Sequence, residues 1–555
     1  MFAGMMRVPN RRKNSLGPVA VLVLAGLLAA TLAAVPTSGR ERLQQLTRLP
    51  KLSFSTGMTF DAVHGYQILT AASLAPRDIE EVRKALVGNA SDAPRYARLA
   101  RMLSQAGEEA LAQRLWTHAA DLYRQQGAAD TQNLDLLLGY AEVLQAQSKQ
   151  DDAERLFRRA VSLGPDQWRP HAALARFLAA ESLRRVTPAQ WLGKDVSLRP
   201  PANAAANGAR PPAEQVEQAH RLMAEAGREA ERAVELDAKQ AQAFSTRATA
   251  RTAQRFEEAL LATTGDPQAD FRRLNLALFN AEAVPDLMQA ATLARNDPQA
   301  WAQAALLDVL AEGFQRGMRQ ADDLLVREWW PVLPEKTRAE VREAMRQLET
   351  ISQDREPRVA ASALTFLGHL QFFVLRDAAG GEASLRRATQ LDPANDNAWE
   401  TLIFALAYTR RFAPMLTACQ ERLKQNDTVR NRVLLAKAYE KNDQPDAMLH
   451  EAELAQRRYP ENLLANLTLG AALLKKGDDE FARARALQFI AKATQLAGDH
   501  APPDIALEVL YQRGLYFALS GQGAIARTHF RAALQLDPAN AESTEALQAL
   551  EQISD

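Results

Sequence analysis

The stretch "LEVLYQRGLYFALSGQGAIARTHFRAALQLDPA", from Leu507 to Ala539, decides the fold of this chain. Small residues on two facing helices let the helices approach closely, while larger apolar residues fill the space toward the next pair. A proline then stops the second helix. The residues that carry this pattern are Leu510, Gly514, Phe517, Ala526, Phe530, Ala533 and Pro538. Their spacing predicts a helix-turn-helix unit of about 34 residues.

The same frame recurs upstream, so the match is not an accident of an alanine-rich chain. One copy carries Leu137, Ala141, Leu144, Ala153, Phe157, Ala160 and Pro165. Another carries Leu435, Ala436, Tyr439, Met448, Ala455 and Pro460. Similar helix ends read "AVELDAK", "ATLARNDPQAW" and "ATQLDPANDNAW", and Trp301 and Trp399 each follow an Asp-Pro pair. We expect roughly nine to eleven repeats.

The order of these residues resembles the tetratricopeptide repeat (TPR) family. The resemblance covers most of Asp92 to Ala549, and between about Phe256 and Arg358 it depends on helical periodicity and one Asp-Pro pair. It implies an all-α fold, an α-solenoid of antiparallel helix pairs that forms a right-handed superhelix with a concave groove. At 555 residues one compact core is not expected, but a solenoid grows by adding repeats.

The resemblance also implies which residues line the groove, because the first helix of each repeat faces it in that family. Glu440 and Glu508 fall at such positions. The candidate partner-binding residues are Arg430, Lys437, Lys441, Leu467, Lys475, Tyr511, Gln512 and Leu515. This lining suits an amphipathic helix or an extended peptide of another protein. An ordinary packing or surface role for Tyr511 and Lys437 stays open.

The N-terminal segment has the composition of a membrane span. No charged residue lies between Ser15 and Gly39, and Leu16 to Val35 is nearly all apolar. About 20 helical residues cross a hydrocarbon core of about 30 Å. Basic residues precede the segment, which favours a cytoplasmic N-terminus, an anchor in the inner membrane and repeats that face the periplasm. Cleavage as a signal peptide, with a secreted or periplasmic product, is the open alternative.

Composition divides the chain into eight segments. These are a charged N-terminus at 1–15, the anchor or uncleaved signal at 16–35, a juxtamembrane linker or cap at 36–91, N-terminal repeats at 92–182, a mobile Pro/Asn-rich insertion at 183–214, degenerate helical repeats at 215–358, C-terminal repeats at 359–540 and a capping helix at 541–555. The insertion has too little apolar content to build a core. It interrupts a repeat between its two helices, since "HAALARFL" and "AGREAERAVELD" fit complementary halves.

Charge and cysteine content exclude several classes of protein. Lysine and arginine together number 67, as do aspartate and glutamate, so net charge gives no reason to expect nucleic-acid binding. The single cysteine, Cys419, excludes an intramolecular disulfide and a multi-cysteine metal site. Its helical position predicts a packed core residue rather than a reactive thiol.

The sequence offers no recognisable catalytic constellation. The eight histidines include no pair at the i, i+4 spacing of zinc hydrolases, and no Walker sequence or Gly-x-Ser-x-Gly elbow is present. Gly521 and Gly523 fall between two helices, which predicts a turn rather than a phosphate loop. Trp329 and Trp330 either pack at a helix end or form the floor of a glycan site. We therefore expect no catalytic residue, no metal site and no cofactor.

These features predict a non-enzymatic scaffold or adaptor that is tethered to a bacterial membrane. Its expected partners are peptide or helix segments of other proteins, in envelope assembly, secretion or polysaccharide export. A homo-oligomer is left open. The alternatives are an extracytoplasmic protein that binds a small ligand or glycan, and an accessory subunit of an envelope enzyme.

Overall fold

The structure is a computed structural model, and it describes most of the chain downstream of the apolar segment. The described residues are 39–51, 58–61, 63, 65–68, 80, 82, 84, 91–105, 109–187, 211–264, 267–318, 324, 327–476, 480–498, 503–537 and 540–554. The predicted anchor at 16–35 and most of the predicted insertion at 183–214 lie outside them. Within the described ranges, no helix combines the length and the apolar character that crossing a membrane requires.

The first part of the chain holds one short helix, one hairpin and a long run of helices. In chain order the elements are α1 (Gly39–Leu46), β1 (Met58–Asp61), β2 (Gly65–Ile68), α2 (Ala93–Gln105), α3 (Glu109–Gln125), α4 (Leu134–Ala146), α5 (Gln150–Leu163), α6 (Trp168–Val186), α7 (Ala213–Leu236), α8 (Ala241–Leu261), α9 (Pro267–Leu278), a 3-10 turn (Ala281–Ala283), α10 (Val284–Leu293) and α11 (Pro298–Gln315).

The second part of the chain is also helical in its described residues. Its elements are a 3-10 turn (Trp330–Val332), α12 (Glu335–Ile351), α13 (Pro357–His369), a π-helical turn (Leu370–Val374), α14 (Ala378–Leu391), α15 (Asp396–Tyr408), α16 (Phe412–Gln425), α17 (Val429–Lys441), α18 (Pro445–Arg458), α19 (Leu463–Lys476), α20 (Glu480–Ala497), α21 (Pro503–Leu519), α22 (Gly523–Leu536) and α23 (Ala541–Ser554).

The described chain forms two compact units. Unit 1 joins the described residues before Phe54 to Arg410–Asp555, and unit 2 comprises the described residues of Phe54–Thr409. In unit 2 the packed helix pairs include α2 with α3, α4 with α5, α6 with α7, and α13 with α14. In unit 1 they include α17 with α18, α19 with α20, and α21 with α22. The predicted succession of antiparallel helix pairs is therefore confirmed within each unit, whereas the handedness of a superhelix stays a prediction.

The turns within the helix pairs share one backbone feature. Two residues after the first helix ends, the chain adopts a left-handed conformation, as at Ser148 (φ 60°), Asp443 (φ 55°) and Gly521 (φ 77°). A glycine adopts this conformation without steric cost, and other residues adopt it less readily. The recurrence at equivalent positions marks the repeat frame, and it confirms the predicted turn at Gly521.

Close helix approaches explain why glycine occupies positions 514 and 470. A Cβ atom added at Gly514 would lie 2.5 Å from Cε1 of Phe530, and one added at Gly470 would lie 2.6 Å from Cγ1 of Ile490. Both distances are shorter than any van der Waals contact, so a larger residue would push the paired helices apart.

The two tryptophans that follow Asp-Pro pairs are buried at the starts of helices. Trp301 and Trp399 are 2% and 6% exposed. Their indole Nε1 atoms donate hydrogen bonds to the backbone oxygens of Arg295 (3.2 Å) and Pro393 (2.9 Å). Each tryptophan thus satisfies a carbonyl in the loop before its own helix while its ring enters the core.

A β-hairpin in unit 2 departs from the predicted all-α fold. The strands β1 and β2 pair antiparallel, with Met58 opposite Ile68. The hydroxyl of Tyr66 donates to the backbone oxygen of Leu278 at 2.7 Å and lies 2.7 Å from Oγ1 of Thr252. Met58 and Tyr66 share a hydrophobic cluster with helices α8 and α11. The hairpin lies in the region 36–91 that the sequence assigned to a linker or cap.

Unit 2 also contains a buried acidic side chain, Asp308, whose carboxyl group faces that of the half-buried Glu340. Oδ2 of Asp308 and Oε2 of Glu340 are buried and, in the described part of the chain, face no separate hydrogen-bond donor. Burial, together with the hydrogen bond and the charge of Glu340, raises the pKa of Asp308 to about 7. An unfolded aspartate titrates near pH 3.9, so the folded state alone holds the proton between about pH 4 and pH 7.

The free energy of unfolding of unit 2 should therefore fall as pH rises through this window and level off above about pH 7. We expect a loss on the order of 1–3 kcal/mol between pH 5 and pH 8, and a clearly smaller loss for Asp308→Asn, whose amide donates to Glu340 without titrating. All seven tryptophans precede Arg410, so urea unfolding followed by tryptophan fluorescence reports on unit 2. Glu349→Gln, which removes an exposed carboxylate, should lose as much unfolding free energy between pH 5 and pH 8 as the wild type. An equal loss in Asp308→Asn would show that Asp308 does not cause the pH dependence.

Candidate functional site

The surface formed by the first helices of the last repeats in unit 1 holds a segment from the beginning of the chain. This segment, "ERLQQLTRLPK", comprises residues 41–51 and is called the N-terminal segment below. Helix α1 packs against α21 and α23, and residues 47–51 continue without helix. The groove is defined here as the faces of α17, α19, α21 and α23 that contact this segment.

Three leucines fix the segment to the groove. Leu43 and Leu49 are fully buried, and Leu46 is half-buried. They share one hydrophobic cluster with Tyr511 and Leu515 of α21. Full burial of a leucine side chain contributes about 1.5–3 kcal/mol, so the two buried leucines supply an apolar anchor at each end of the segment.

Where α1 ends, groove side chains bind the backbone of the segment. The hydroxyl of Tyr511 donates to the backbone oxygen of Leu46 at 2.9 Å. Nζ of Lys475 donates to the backbone oxygen of Thr47 at 3.0 Å. Carbonyl groups at a helix end have no partner within the helix, so these two donors act as its C-terminal cap.

The next two residues, Arg48 and Leu49, also bind the groove through their backbones, Arg48 as an acceptor and Leu49 as a donor. Nε2 of Gln512 donates to the backbone oxygen of Arg48 at 3.0 Å. The backbone N–H of Leu49 donates to Oε1 of Glu440 at 3.1 Å. Glu440 also pairs with Lys475 at 3.4 Å, which keeps its carboxylate in place. Groove side chains thus supply both donors and acceptors to the backbone of the segment.

Pro50 contributes the last backbone contact between the segment and the groove. Nζ of Lys437 donates to the backbone oxygen of Pro50 at 2.5 Å. Pro50 has no N–H group, so its burial leaves no backbone donor without a partner. Burial, followed by repulsion from Arg48, lowers the pKa of Lys437 to about 8.

Arg48 makes the densest set of contacts in the groove. Its Nη1 and Nη2 donate to Oε1 and Oε2 of Glu508 at 2.8 and 3.1 Å, and its Nη2 and Nε donate to Oε2 and Oε1 of Glu542 at 2.7 and 3.1 Å. Nη1 also donates to the backbone oxygen of Leu49 at 3.0 Å. The guanidinium lies 4.7 Å from the ring centroid of Tyr511. All five N–H groups of the guanidinium are therefore satisfied.

The electrostatics of this cluster favour the charged forms of its members. Burial alone would raise the pKa of Glu542, but the charges and hydrogen bonds of Arg48 and Lys51 outweigh burial and hold it at about 2. Burial would likewise lower the pKa of Arg48, and Glu508 and Glu542 raise it above its ordinary value. Lys51 adds an ion pair of 2.8 Å to Glu542. The cluster is a cation site of two carboxylates and one aromatic face.

The predicted groove residues are only partly brought together. Four of them hydrogen-bond to the segment backbone, as described above, and Leu515 shares its hydrophobic cluster. Leu467 lies in a separate cluster with Ala493 and Val509. Arg430 is half-buried and Lys441 is exposed, near the two ends of α17 and on either side of Lys437. Partner binding by the eight candidate residues stays a prediction.

The sequence did not predict that the N-terminal segment binds the groove or that acidic residues take part in binding it. Glu440 and Glu508 lay on groove positions but were not among the candidates, and Glu542 lay in the predicted capping helix. The N-terminal segment was assigned to a polar juxtamembrane stretch. The usable signal was charge: "TRLPK" is basic, and acidic residues stand on the groove positions of α17 and α21.

Two other candidate residues prove to be core residues. Cys419 is 1% exposed, its Sγ donates to the backbone oxygen of Leu434 at 3.7 Å, and burial raises its pKa to about 12. The prediction of a packed core cysteine is confirmed. Trp329 is 3% exposed in the core of unit 2, with Arg327 over its ring at 4.7 Å. Trp329 therefore packs and cannot form the floor of a glycan site.

Comparison with known proteins gives structural likenesses only. The sequence matches no family model, and none of the curated proteins is similar to it. Among solved structures, the chain is similar to yeast Tom70, with 14% identity and a TM-score of 0.36 over 86% of this chain and 91% of that one. It is also similar to a tetratricopeptide repeat protein from Parabacteroides merdae, with 14% identity and a TM-score of 0.32 over 54% of this chain and 99% of that one. Fold and groove together define a helical-repeat chain whose C-terminal unit holds an internal peptide segment.

Proposed function

We propose that this protein is a non-enzymatic protein-binding scaffold and that the groove of unit 1 is its peptide-binding surface. One observation carries the proposal: the groove already binds a peptide segment through side-chain contacts to its backbone. The segment and the groove lie far apart in sequence, as the separation of 460 positions from Arg48 to Glu508 illustrates. To the groove, the segment is therefore equivalent to a peptide from another molecule.

The kind of contact supports peptide binding over small-ligand or glycan binding. Donors from Tyr511, Lys475, Gln512 and Lys437 reach the carbonyl groups of residues 46, 47, 48 and 50, a row of acceptors that fits a polypeptide backbone. Apolar anchors at Leu43 and Leu49 add the pockets for alternate side chains that peptide-recognition surfaces use.

A synthetic peptide of residues 41–51 tests this proposal. The full chain, kept in detergent micelles and carrying Arg48→Ala and Leu49→Ala to vacate the groove, should bind the labelled peptide saturably in fluorescence anisotropy. Adding Lys475→Met should weaken binding about tenfold, because a charged donor to a carbonyl contributes about 1.5 kcal/mol or more. A scrambled peptide is the control. Binding of the scrambled peptide with equal affinity, or no binding of the native one, would refute the proposed function.

We further propose that Leu16 to Val35 anchors the chain in the inner membrane, with the repeats in the periplasm. The support is the length and apolar character of this segment and the basic residues before it. The proposed role in envelope assembly, secretion or export depends on this placement. A reporter that is active only after export, fused behind Asp555, should be active, and activity restricted to a cytoplasmic reporter would contradict the placement.

A further inference from the structure

We propose that the N-terminal segment is a built-in ligand that closes the groove of unit 1, and that the partner which displaces it carries an arginine followed by an apolar residue and proline. This inference depends on the proposed peptide-binding function, since it names the ligand chemistry of the groove and the way access to it is controlled.

The arginine site sets the first requirement on the partner. Glu508 and Glu542 approach the same guanidinium from two sides, and their side chains are 4% and 14% exposed with the segment in place. Because both carboxylates contact the same guanidinium, they lie close together and repel each other when no cation lies between them. The emptied groove therefore attracts a cation. The planar guanidinium of arginine donates four hydrogen bonds to the two carboxylates, and a lysine ammonium, with three donors, cannot make the same set.

The positions after the arginine set the second requirement. Leu49 is fully buried, so the residue that follows the arginine must be apolar. The next residue, Pro50, is buried and offers only its carbonyl, to Lys437. Any other residue there would bring an N–H group into a buried position, and proline also restricts the backbone of the free peptide before it binds.

Tethering explains why the groove is closed in the resting chain. A ligand on the same polypeptide competes at an effective concentration that reaches the millimolar range for a flexible connection of suitable length. A free peptide of equal intrinsic affinity then binds only the small fraction of molecules whose groove is open, and its apparent affinity falls by that fraction. Weakening the tethered segment should therefore increase the affinity for a free one.

The test compares three full-length chains in detergent micelles, each titrated against the labelled peptide of residues 41–51 in fluorescence anisotropy. The chains are the wild type, the Arg48→Ala/Leu49→Ala variant and a control, Arg42→Ala/Gln45→Ala, which changes the same segment at half-buried and exposed positions. We expect at least tenfold tighter binding to the first variant than to the wild type or the control. A second peptide with citrulline in place of the second arginine, neutral but of equal shape, should bind at least tenfold more weakly than the native peptide.

Three possible results would overturn three different parts of the proposal. Equal binding to wild type and vacated variant would overturn the built-in closure and leave the peptide-binding function standing. Equal binding of the citrulline peptide would overturn the requirement for arginine. Absence of binding to the vacated variant, with its helical circular dichroism intact, would overturn the proposed function and this inference with it.

Discussion

Replacing Arg48 by glutamate is expected to release the N-terminal segment from unit 1. The substitution places a third carboxylate between Glu508 and Glu542, which Arg48 now neutralises at 2.8 and 2.7 Å. Removing one partner of a buried ion pair costs about 3–5 kcal/mol. Hydrogen exchange measured by mass spectrometry should then find the amides of residues 46–49 unprotected, among them Leu49, whose N–H is bound by Glu440.

Arg42→Glu is the matched control for this experiment. It makes the same charge change on the same segment, at a position that is half-buried. Exchange in residues 46–49 should be close to that of the wild type. The far-ultraviolet circular dichroism of both variants should be nearly unchanged, because α1 is only eight residues long. Retained protection in Arg48→Glu would mean that the arginine does not hold the segment.

Replacing Phe530 by alanine is expected to cost about 3–5 kcal/mol in the stability of unit 1. Phe530 is fully buried, its ring fills the space over Gly514, and its centroid lies 6.0 Å from that of Tyr511. Its removal leaves a cavity directly beneath the groove. Native-state hydrogen exchange of α21 and α22 is the appropriate measurement, since tryptophan fluorescence reports on unit 2.

Phe481→Ala is the control for Phe530→Ala, because it makes the same substitution at an exposed position. Phe481 is 74% exposed at the start of α20, so its loss should change the opening free energy by no more than about 0.5 kcal/mol. Similar effects of the two substitutions would mean that the ring of Phe530 does not fill the interior of the last repeat.

The helix pairs could be predicted because their determinants are local. Glycine, alanine and proline at fixed offsets specify close helix contacts and helix ends, and Gly514 opposite Phe530 is one such contact. The same frame placed the groove on the first helices of the repeats. Which of the eight candidate residues bind a partner stays a prediction.

The occupied groove could not be predicted because its determinants are distant in sequence. The spacing of Leu43, Leu46 and Leu49 fits an apolar face, but nothing in residues 41–51 specifies which surface it covers. Arg48 and Glu508 are 460 residues apart. Complementary charge was the available signal, and equal totals of acidic and basic residues conceal such local pairing. The hairpin was missed because two strands of four residues give too little alternation to distinguish them from a linker.

The contact between Lys51 and Glu542 offers the most direct test of the central claim, that the N-terminal segment lies in the groove of unit 1. Nζ of Lys51 is 2.8 Å from Oε2 of Glu542, close enough for a carbodiimide to join them as an amide without a spacer. Mass spectrometry of the digested, cross-linked monomer should identify a peptide containing Lys51 joined to one containing Glu542. The link should disappear in Arg48→Glu. Cross-linking of Lys51 only to carboxylates outside the groove, or only between two molecules, would contradict the account.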